Sequence, residues 1–186
     1  TISDKVSVLP KQCFSGCTLL KTINFGTGLK KIEAEAFYYC DSLTSIKIPS
    51  TVEYIGDATF NCSGNFEEMI VADNNPYYDS RENCNGIIET AANRLVFGNE
   101  DTTIPSSVAI IGSDAFSYCT KLSQINWPTA LEKIEDYAFF GCNSLTSVKI
   151  PNSVTSIGNG TFKNCHSLTS VNVPNTVTNI GSETFE

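Results

Sequence analysis

The sequence predicts a mainly β (β-rich α/β) protein with the architecture of a solenoid, and three recurring features support this prediction. Apolar and polar residues alternate from nine to eleven residues after a repeated phenylalanine, and a Val-x-x-Ile-Gly pattern follows in most units. A unit this short cannot cover its own apolar face and must stack on copies of itself. The phenylalanine recurs every 23 residues, with one interval of 56, at Phe14, Phe37, Phe60, Phe116, Phe139, Phe162 and Phe185.

The stretch that ends eleven residues after each phenylalanine predicts a short parallel strand. Apolar residues at the ninth and eleventh positions flank a residue that is polar in most units, which is the two-residue period of a strand with one buried face. A proline directly afterwards withholds a ladder donor and keeps the preceding residue extended, so it suits the end of a strand. These prolines are Pro49, Pro128, Pro151 and Pro174.

The second half of each unit predicts another extended piece on the opposite side of the coil. Its clearest copy is Val52-x-x-Ile55-Gly56, in which the glycine relaxes the backbone into the next corner. The Ala-Phe step that follows, as at Ala36-Phe37, is expected to return the ring to the interior on a single helical or 3₁₀ turn. At ~4.8 Å per stacked strand, about seven coils would span roughly 35 Å.

The segment from Cys40 to Phe60, with the sequence CDSLTSIKIPSTVEYIGDATF, recurs over residues 119–139, 142–162 and 165–185. It resembles the BspA-type leucine-rich repeats found on surface proteins of anaerobic bacteria and some protists. The resemblance implies one right-handed leucine-rich-repeat solenoid over residues 1–186, with the strand column on its concave side. It also implies a secreted or surface-anchored adhesin that binds host matrix proteins or other cells. We expect the chain to be a fragment of a longer array, with any export signal or anchor encoded elsewhere.

The long interval between Phe60 and Phe116 contains 33 residues beyond one unit, and this surplus falls roughly in residues 73–101. Two apolar runs around an Asn85-Gly86 turn signal predict an inserted β-hairpin or meander there. Insertions in repeat proteins often serve binding, and we therefore count Tyr77 and Tyr78 as candidate binding residues. A structural brace between two half-arrays is an equally open interpretation.

Eight cysteines suggest a disulfide framework, but their spacing indicates a ladder. Stacked side chains at one position of the repeat point the same way, which is poor geometry for a disulfide. We therefore expect thiols that act as small hydrophobes and weak donors at a buried corner. Cys62 lies one residue out of this register, and Cys13 and Cys84 do not fit it. The ladder comprises Cys17, Cys40, Cys119, Cys142 and Cys165.

Catalysis and several partner classes are disfavoured by composition. A net charge of −8 without a basic stripe makes nucleic acid and anionic membrane poor partners, and no apolar run approaches the ~18 residues of a membrane span. The single histidine, His166, lies on a polar corner, and no nucleophile, phosphate-binding or dinucleotide motif is present. We expect no catalytic residue, no metal site and no cofactor.

Removing the core columns leaves a row of candidate binding residues on the exposed strand face. Glu68 and Ile70 depart most from their columns and lie beside the insertion. Trp127, in contrast, replaces an inward aliphatic residue and is expected in the core. The residues ten positions after each phenylalanine are Asn24, Lys47, Ile70, Asn126, Lys149 and Asn172.

Two functional hypotheses remain open for this extracellular or cell-surface chain. The first is an adhesion or ligand-binding module for a protein or glycan of host matrix or another cell. The second is a passive spacer or scaffold that displays another domain. We also expect the last coil to expose apolar surface and a strand edge, which favours end-to-end self-association.

Overall fold

The computed structural model describes residues 1–61 and 66–186 as a solenoid of short strands joined by turns. The mainly β architecture predicted from the sequence is confirmed, and the one helical element in the described residues is a 3₁₀ turn at Arg81–Asn83. The strands are β1 (Val8–Leu9), β2 (Lys31–Ile32), β3 (Ser45–Ile48), β4 (Tyr54–Ile55), β5 (Glu68–Val71), β6 (Tyr78–Asp79), β7 (Ile87–Glu89), β8 (Arg94–Phe97), β9 (Ile110–Ile111), β10 (Lys133–Ile134), β11 (Ser147–Lys149), β12 (Ser156–Ile157), β13 (Ser170–Asn172) and β14 (Asn179–Ile180).

The strands form two sets of parallel ladders. The Val-x-x-Ile pieces pair coil to coil in the orders β1-β2-β4 and β14-β12-β10-β9-β8-β7-β6. Their register aligns Ile32 with Ile55 and Ile134 with Ile157, so each isoleucine lies on its equivalent in the next coil. The strands predicted after each phenylalanine form two separate pairs, β3 with β5 and β11 with β13.

The repeated phenylalanine rings stack in two columns inside the coils. Phe14, Phe37 and Phe60 form the first column, with centroid separations of 5.2 and 5.5 Å. The second column begins at Phe116 and ends at Phe185, with separations of 5.2 to 5.8 Å and interplanar angles of at most 4°. The chain therefore has two apolar cores, one in each half-array.

The turns that carry these rings are not helical, which corrects our prediction of a helical or 3₁₀ turn. A residue of positive φ lies two positions before each phenylalanine and, in most described coils, two positions after it. A left-handed residue ends a helix and costs about 1–2 kcal/mol unless it is glycine. The turn instead directs its amides to the next coil, and Phe37 N donates to Thr59 O at 2.9 Å. The preceding left-handed residues are Gln12, Glu35, Ala58, Asp114, Tyr137, Gly160 and Glu183.

The cysteine ladder connects neighbouring coils through thiol hydrogen bonds. The Sγ atoms of Cys40, Cys142 and Cys165 each donate to the carbonyl oxygen of a phenylalanine in the preceding coil, at 3.2 Å. Burial raises the pKa of Cys40 to about 11 and that of Cys142 well above its usual value, so these thiols remain protonated donors at neutral pH.

Cys119 and Cys17 differ from this arrangement in their hydrogen-bond partner and in their exposure. Cys119 is buried and its Sγ donates to Gly98 O at 3.8 Å, whereas Cys17 is exposed, contrary to the buried column we predicted. The seven cysteines of residues 1–61 and 66–186 form no disulfide. Cys62, the ladder residue out of register, lies outside the described residues.

The inserted segment is the β-meander that the sequence predicts, built from β6, β7 and β8 in antiparallel order. Its start differs from the boundary at residue 73, because the 23-residue register continues further along the chain. Asn75 Nδ2 donates to Val52 O at 3.0 Å, and Ile55 N donates to Tyr78 Oη at 3.0 Å. The surplus residues therefore begin after Tyr78.

The contacts of the meander favour the brace interpretation. β8 pairs in parallel with β9 and so becomes a rung of the second half-array. Phe97 packs edge-on against Phe60, at a centroid separation of 5.5 Å. Arg94 forms ion pairs with Asp57 at 3.2 Å and with Glu135 at 2.8 Å, which joins the two half-arrays through one guanidinium group.

We predict that Phe139→Ala lowers the free energy of unfolding by about 3–5 kcal/mol, because it removes a ring stacked on both sides inside the core. Phe185→Ala is the matched control: Phe185 is 43% exposed and stacks on one neighbour only, so its loss should cost about 1 kcal/mol. Urea unfolding followed by circular dichroism measures both changes. Equal costs would contradict the stack as the source of the core.

We also predict that iodoacetamide modifies Cys13 and Cys17 in the folded chain while Cys40, Cys142 and Cys165 resist it, because the last three are buried and their pKa values are raised. Peptide mass spectrometry after a short exposure assigns each site. Labelling in urea, which should modify all five, is the control. Rapid modification of Cys142 in the folded chain would contradict the thiol ladder.

Candidate functional site

The strand face presents the polar row predicted from the sequence. The residues ten positions after each phenylalanine are exposed, apart from Ile70, which is half-buried. Their neighbours on either side point inward, as Ile46 and Ile48 do around Lys47. The exposed members are Asn24, Lys47, Asn126, Lys149 and Asn172, together with Glu68 at the adjoining position of β5.

This face is not the continuous ladder that one strand per unit would give. Residues 22–25 and 124–127 occupy the same place in their coils as β3 and β11, but neither segment forms a strand. Each of them is the first strand-face segment of its half-array. The ladder is therefore open at the same step in both halves.

The residue eleven positions after the phenylalanine explains the opening. It is Ile48 or Ile150 where the strand pairs with the next one, and Phe25 or Trp127 where it does not. Phe25 lies edge-on to Phe37 at 5.9 Å, and Trp127 lies edge-on to Phe139 at 5.6 Å. An edge-on ring needs more room between coils than an aliphatic chain, and we attribute the missing strand pairing at these two steps to this difference.

Each opening forms a recess on the strand face. Recess 1 has a volume of about 220 Å³ and lies between residues 22–25 and β3, lined by Ile23, Asn24, Phe25, Lys47 and Pro49. Recess 2 has a volume of about 370 Å³ and lies between residues 124–127 and β11. It repeats the same pattern with Ile125, Trp127 and Lys149.

The recesses offer main-chain and charged groups to a ligand. Where the ladder is closed, Glu67 N donates to Thr44 O and Thr169 N donates to Thr146 O, at 2.8 and 2.9 Å. At the open steps the amides of Thr44 and Thr146 themselves find no acceptor in the described part of the chain. An extended peptide can pair with such an edge, and the neighbouring lysine can bind its carboxylate groups.

A third recess lies between β5 and the meander and contains Glu68 and Ile70. Here the free amides of the strand are already used, because Met69 N donates to Asn85 Oδ1 at 2.8 Å and Val71 N donates to Ser80 Oγ at 3.1 Å. The insertion thus closes this strand edge with its own side chains. The Met69 and Val71 amides of this recess are therefore not free to pair with an extended peptide.

The two tyrosines of the insertion differ in position. Tyr77 is 47% exposed and stays a predicted binding residue. Tyr78 is 5% exposed, and its hydroxyl accepts a hydrogen bond from the Ile55 amide. Tyr78 therefore replaces an isoleucine of the repeat, and its burial disfavours the direct ligand contact predicted for it.

Further candidate functional features of the described residues are His166, the metal-ligating side chains and the apolar segments. His166 is exposed on a turn, where its backbone amide donates to Asn143 Oδ1 at 3.4 Å. Within residues 1–61 and 66–186, no three side chains of the metal-ligating types come together. Nor does that part of the chain contain a helix with the length and apolar character needed to cross a bilayer.

We predict that Trp127→Ile closes recess 2 by allowing the two strands to pair. The Thr146 amide should then gain at least about tenfold protection from hydrogen exchange, because it acquires the acceptor its equivalents have. Hydrogen exchange followed by NMR measures this change. Trp127→Phe, which keeps a ring, is the matched control and should leave the amide unprotected. An unprotected Thr146 amide in both variants would contradict the steric explanation.

Similar solved structures share this fold. A leucine-rich repeat protein from Eubacterium ventriosum has a TM-score of 0.77 and 24% identity, and the match covers 95% of this chain and 53% of that one. The pneumococcal vaccine antigen PcpA has a TM-score of 0.76 and 19% identity, covering 99% and 54%. A leucine-rich cell surface protein from Faecalibacterium prausnitzii has a TM-score of 0.59 and 23% identity, covering 92% and 59%.

The chain thus spans about half the length of these solved structures, and at such identities they show the fold alone. No individually curated protein matches the sequence. The model of the BspA-type leucine-rich repeat region, in six copies, matches residues 1–92 and 95–186. With its stacked 23-residue coils and this match over nearly its whole length, the chain belongs to the BspA-type leucine-rich repeat family.

Proposed function

We propose that this chain is a non-catalytic binding module of a cell-surface or secreted protein, which takes up an extended protein segment through its strand face. The two recesses carry this proposal. They repeat the same residue types at the same positions of two half-arrays, and at each of them a strand amide, that of Thr44 or Thr146, has no backbone acceptor among the described residues.

The charge of the recesses suggests what kind of segment binds. Lys47 and Lys149 are exposed at the rim of their recesses and take part in no ion pair of the described residues. Asn24 is exposed at recess 1, and Asn126 at the equivalent position beside recess 2. Main-chain pairing with acidic residues at the lysines therefore favours an extended, acidic protein segment over a glycan.

The duplication also affects binding strength. A ligand that repeats the recognised segment, or spans both recesses, would convert the second contact into an intramolecular step. Adhesion to host matrix or to another cell would gain from such avidity. The naming of one similar structure as a cell surface protein and of another as a vaccine antigen supports a surface location.

We predict that the chain binds saturably to immobilised extracellular-matrix extract and that Lys47→Ser with Lys149→Ser weakens this binding by roughly tenfold. The matched control replaces Lys31 and Lys121, which are exposed outside the recesses, and loses the same charge. Biolayer interferometry measures all three proteins. Protease treatment of the extract should abolish binding, while periodate oxidation of its glycans should not.

Two outcomes would contradict the proposal. Equal weakening in both double variants would mean that net charge, and not the recesses, determines binding. Absence of saturable binding would favour a passive spacer that displays another domain, a hypothesis in which the length of the array matters and no surface residue does.

A further inference from the structure

A cleft opens where the two half-arrays meet, on the side of the coils that carries the phenylalanine turns. It has a volume of about 350 Å³ and shares no lining residue with the strand-face recesses. Glu35 and Asn61 line it from the first half-array. Asp114, Tyr118, Tyr137 and Phe140 line it from the second half-array.

The cleft exists because one coil at the joint lacks a phenylalanine turn. Gly98 N donates to Ala115 O at 2.9 Å, the bond that Phe116 N makes to Ala138 O in the next coil. Gly98 thus takes the backbone place of a repeated phenylalanine but brings no ring. A Cβ atom there would lie 2.6 Å from the Phe116 ring, and no left-handed residue flanks Gly98. The row of turns is therefore interrupted.

Polar groups at the interruption lack partners within residues 1–61 and 66–186. Asn61 is 2% exposed, and neither its Oδ1 nor its Nδ2 forms a hydrogen bond with that part of the chain. The backbone amides of Ala58 and Phe60 also find no acceptor among the described residues. One coil earlier, Glu35 N and Phe37 N donate to the next coil at 3.2 and 2.9 Å. Buried polar groups in folded proteins are paired as a rule, so this cluster indicates a place that a ligand completes.

The cleft also concentrates negative charge. Glu35 is paired with Lys11, and Asp57 behind the cleft is paired with Arg94. Among the described residues, Asp114 has the Ser117 hydroxyl as its one side-chain donor. Burial raises the pKa of Asp114 to about 6, and the negative charges of Asp57, Glu35 and Asp136 add to this effect. A cation beside Asp114 would offset this negative charge and stabilise the ionised carboxylate of Asp114.

Aromatic rings form the wall on the second half-array. Phe140 lies edge-on to Tyr118 at 5.0 Å and to Tyr137 at 6.0 Å. Tyr118 and Tyr137 keep more than a third of their surface exposed. Ring faces beside a carboxylate attract a guanidinium or ammonium group, with Arg the more frequent partner.

We propose that this cleft binds a basic side chain of a protein partner, with Asp114 as its counter-ion, Asn61 Oδ1 as a hydrogen-bond acceptor and Tyr137 as a ring for its cationic group. The Nδ2 group of Asn61 can then donate a hydrogen bond to a carbonyl oxygen of the bound partner. This site stands apart from the proposed function, because it uses none of the recess residues.

N-acetyl-arginine amide is the probe, and its neutral isostere N-acetyl-citrulline amide is the ligand control. In ¹⁵N NMR titrations, the arginine probe should shift the Asn61 side-chain amide signals saturably, with a dissociation constant on the order of millimolar. Asp114→Asn should weaken binding about tenfold. Asp41→Asn, the same change on an exposed aspartate outside the cleft, should leave it unchanged.

A pH series supplies a second readout. Binding should weaken as pH falls through about 6, because Asp114 becomes protonated and loses its charge. In the free protein the raised pKa means that the folded state binds the extra proton, so stability falls as pH rises through about 6. Asp114→Asn should therefore raise the urea midpoint near about pH 7.5 and lose that advantage below about pH 4.

Equal shifts with citrulline and arginine would overturn the proposal. So would unchanged binding in the Asp114→Asn variant. The urea midpoints show that this variant is folded, so a loss of binding cannot be assigned to unfolding.

Discussion

The structure depends on one constraint: each coil must pair its backbone amides and carbonyl groups with those of its neighbouring coils in a single register. The 23-residue period satisfies this constraint on two sides of the coil at once. On one side Ile55 lies over Ile32 in the ladder, and on the other the Phe37 amide reaches Thr59. Side chains at equivalent positions then stack on themselves, which accounts for the ring columns and the thiol ladder.

Departures from the register create the features that differ from a plain solenoid. A ring in place of an aliphatic residue, at Phe25 and Trp127, opens the strand ladder and forms the recesses. A glycine in place of a phenylalanine, at Gly98, removes one turn and leaves the cleft at the joint. The repeat explains stability, and its exceptions form the surfaces on which the binding proposals rest.

The sequence predicts the fold well because the dominant signal is local and periodic. The phenylalanine column and the strand alternation follow directly from spacing. The helical turn was wrong because no residue type marks a left-handed position unless it is glycine, and Glu35 and Tyr137 hold such positions here. The cleft lay beyond prediction, since Asn61 and Asp114 come together only when the insertion is placed. The burial of Tyr78 was not predicted, because the register continues into a segment whose residues no longer resemble the repeat.

The missing hydrogen bonds at the joint, as far as the described residues show them, also have a mechanical consequence. Each regular step of the second half-array is held by several backbone hydrogen bonds in parallel and by a stacked ring pair. At the joint, the Ala58 and Phe60 amides form no backbone hydrogen bond among the described residues. The ion pairs of Arg94 provide part of the connection there instead. A pulling force along the array would therefore concentrate there. Under such a force, extension would begin at this joint while the coils on either side kept their shape.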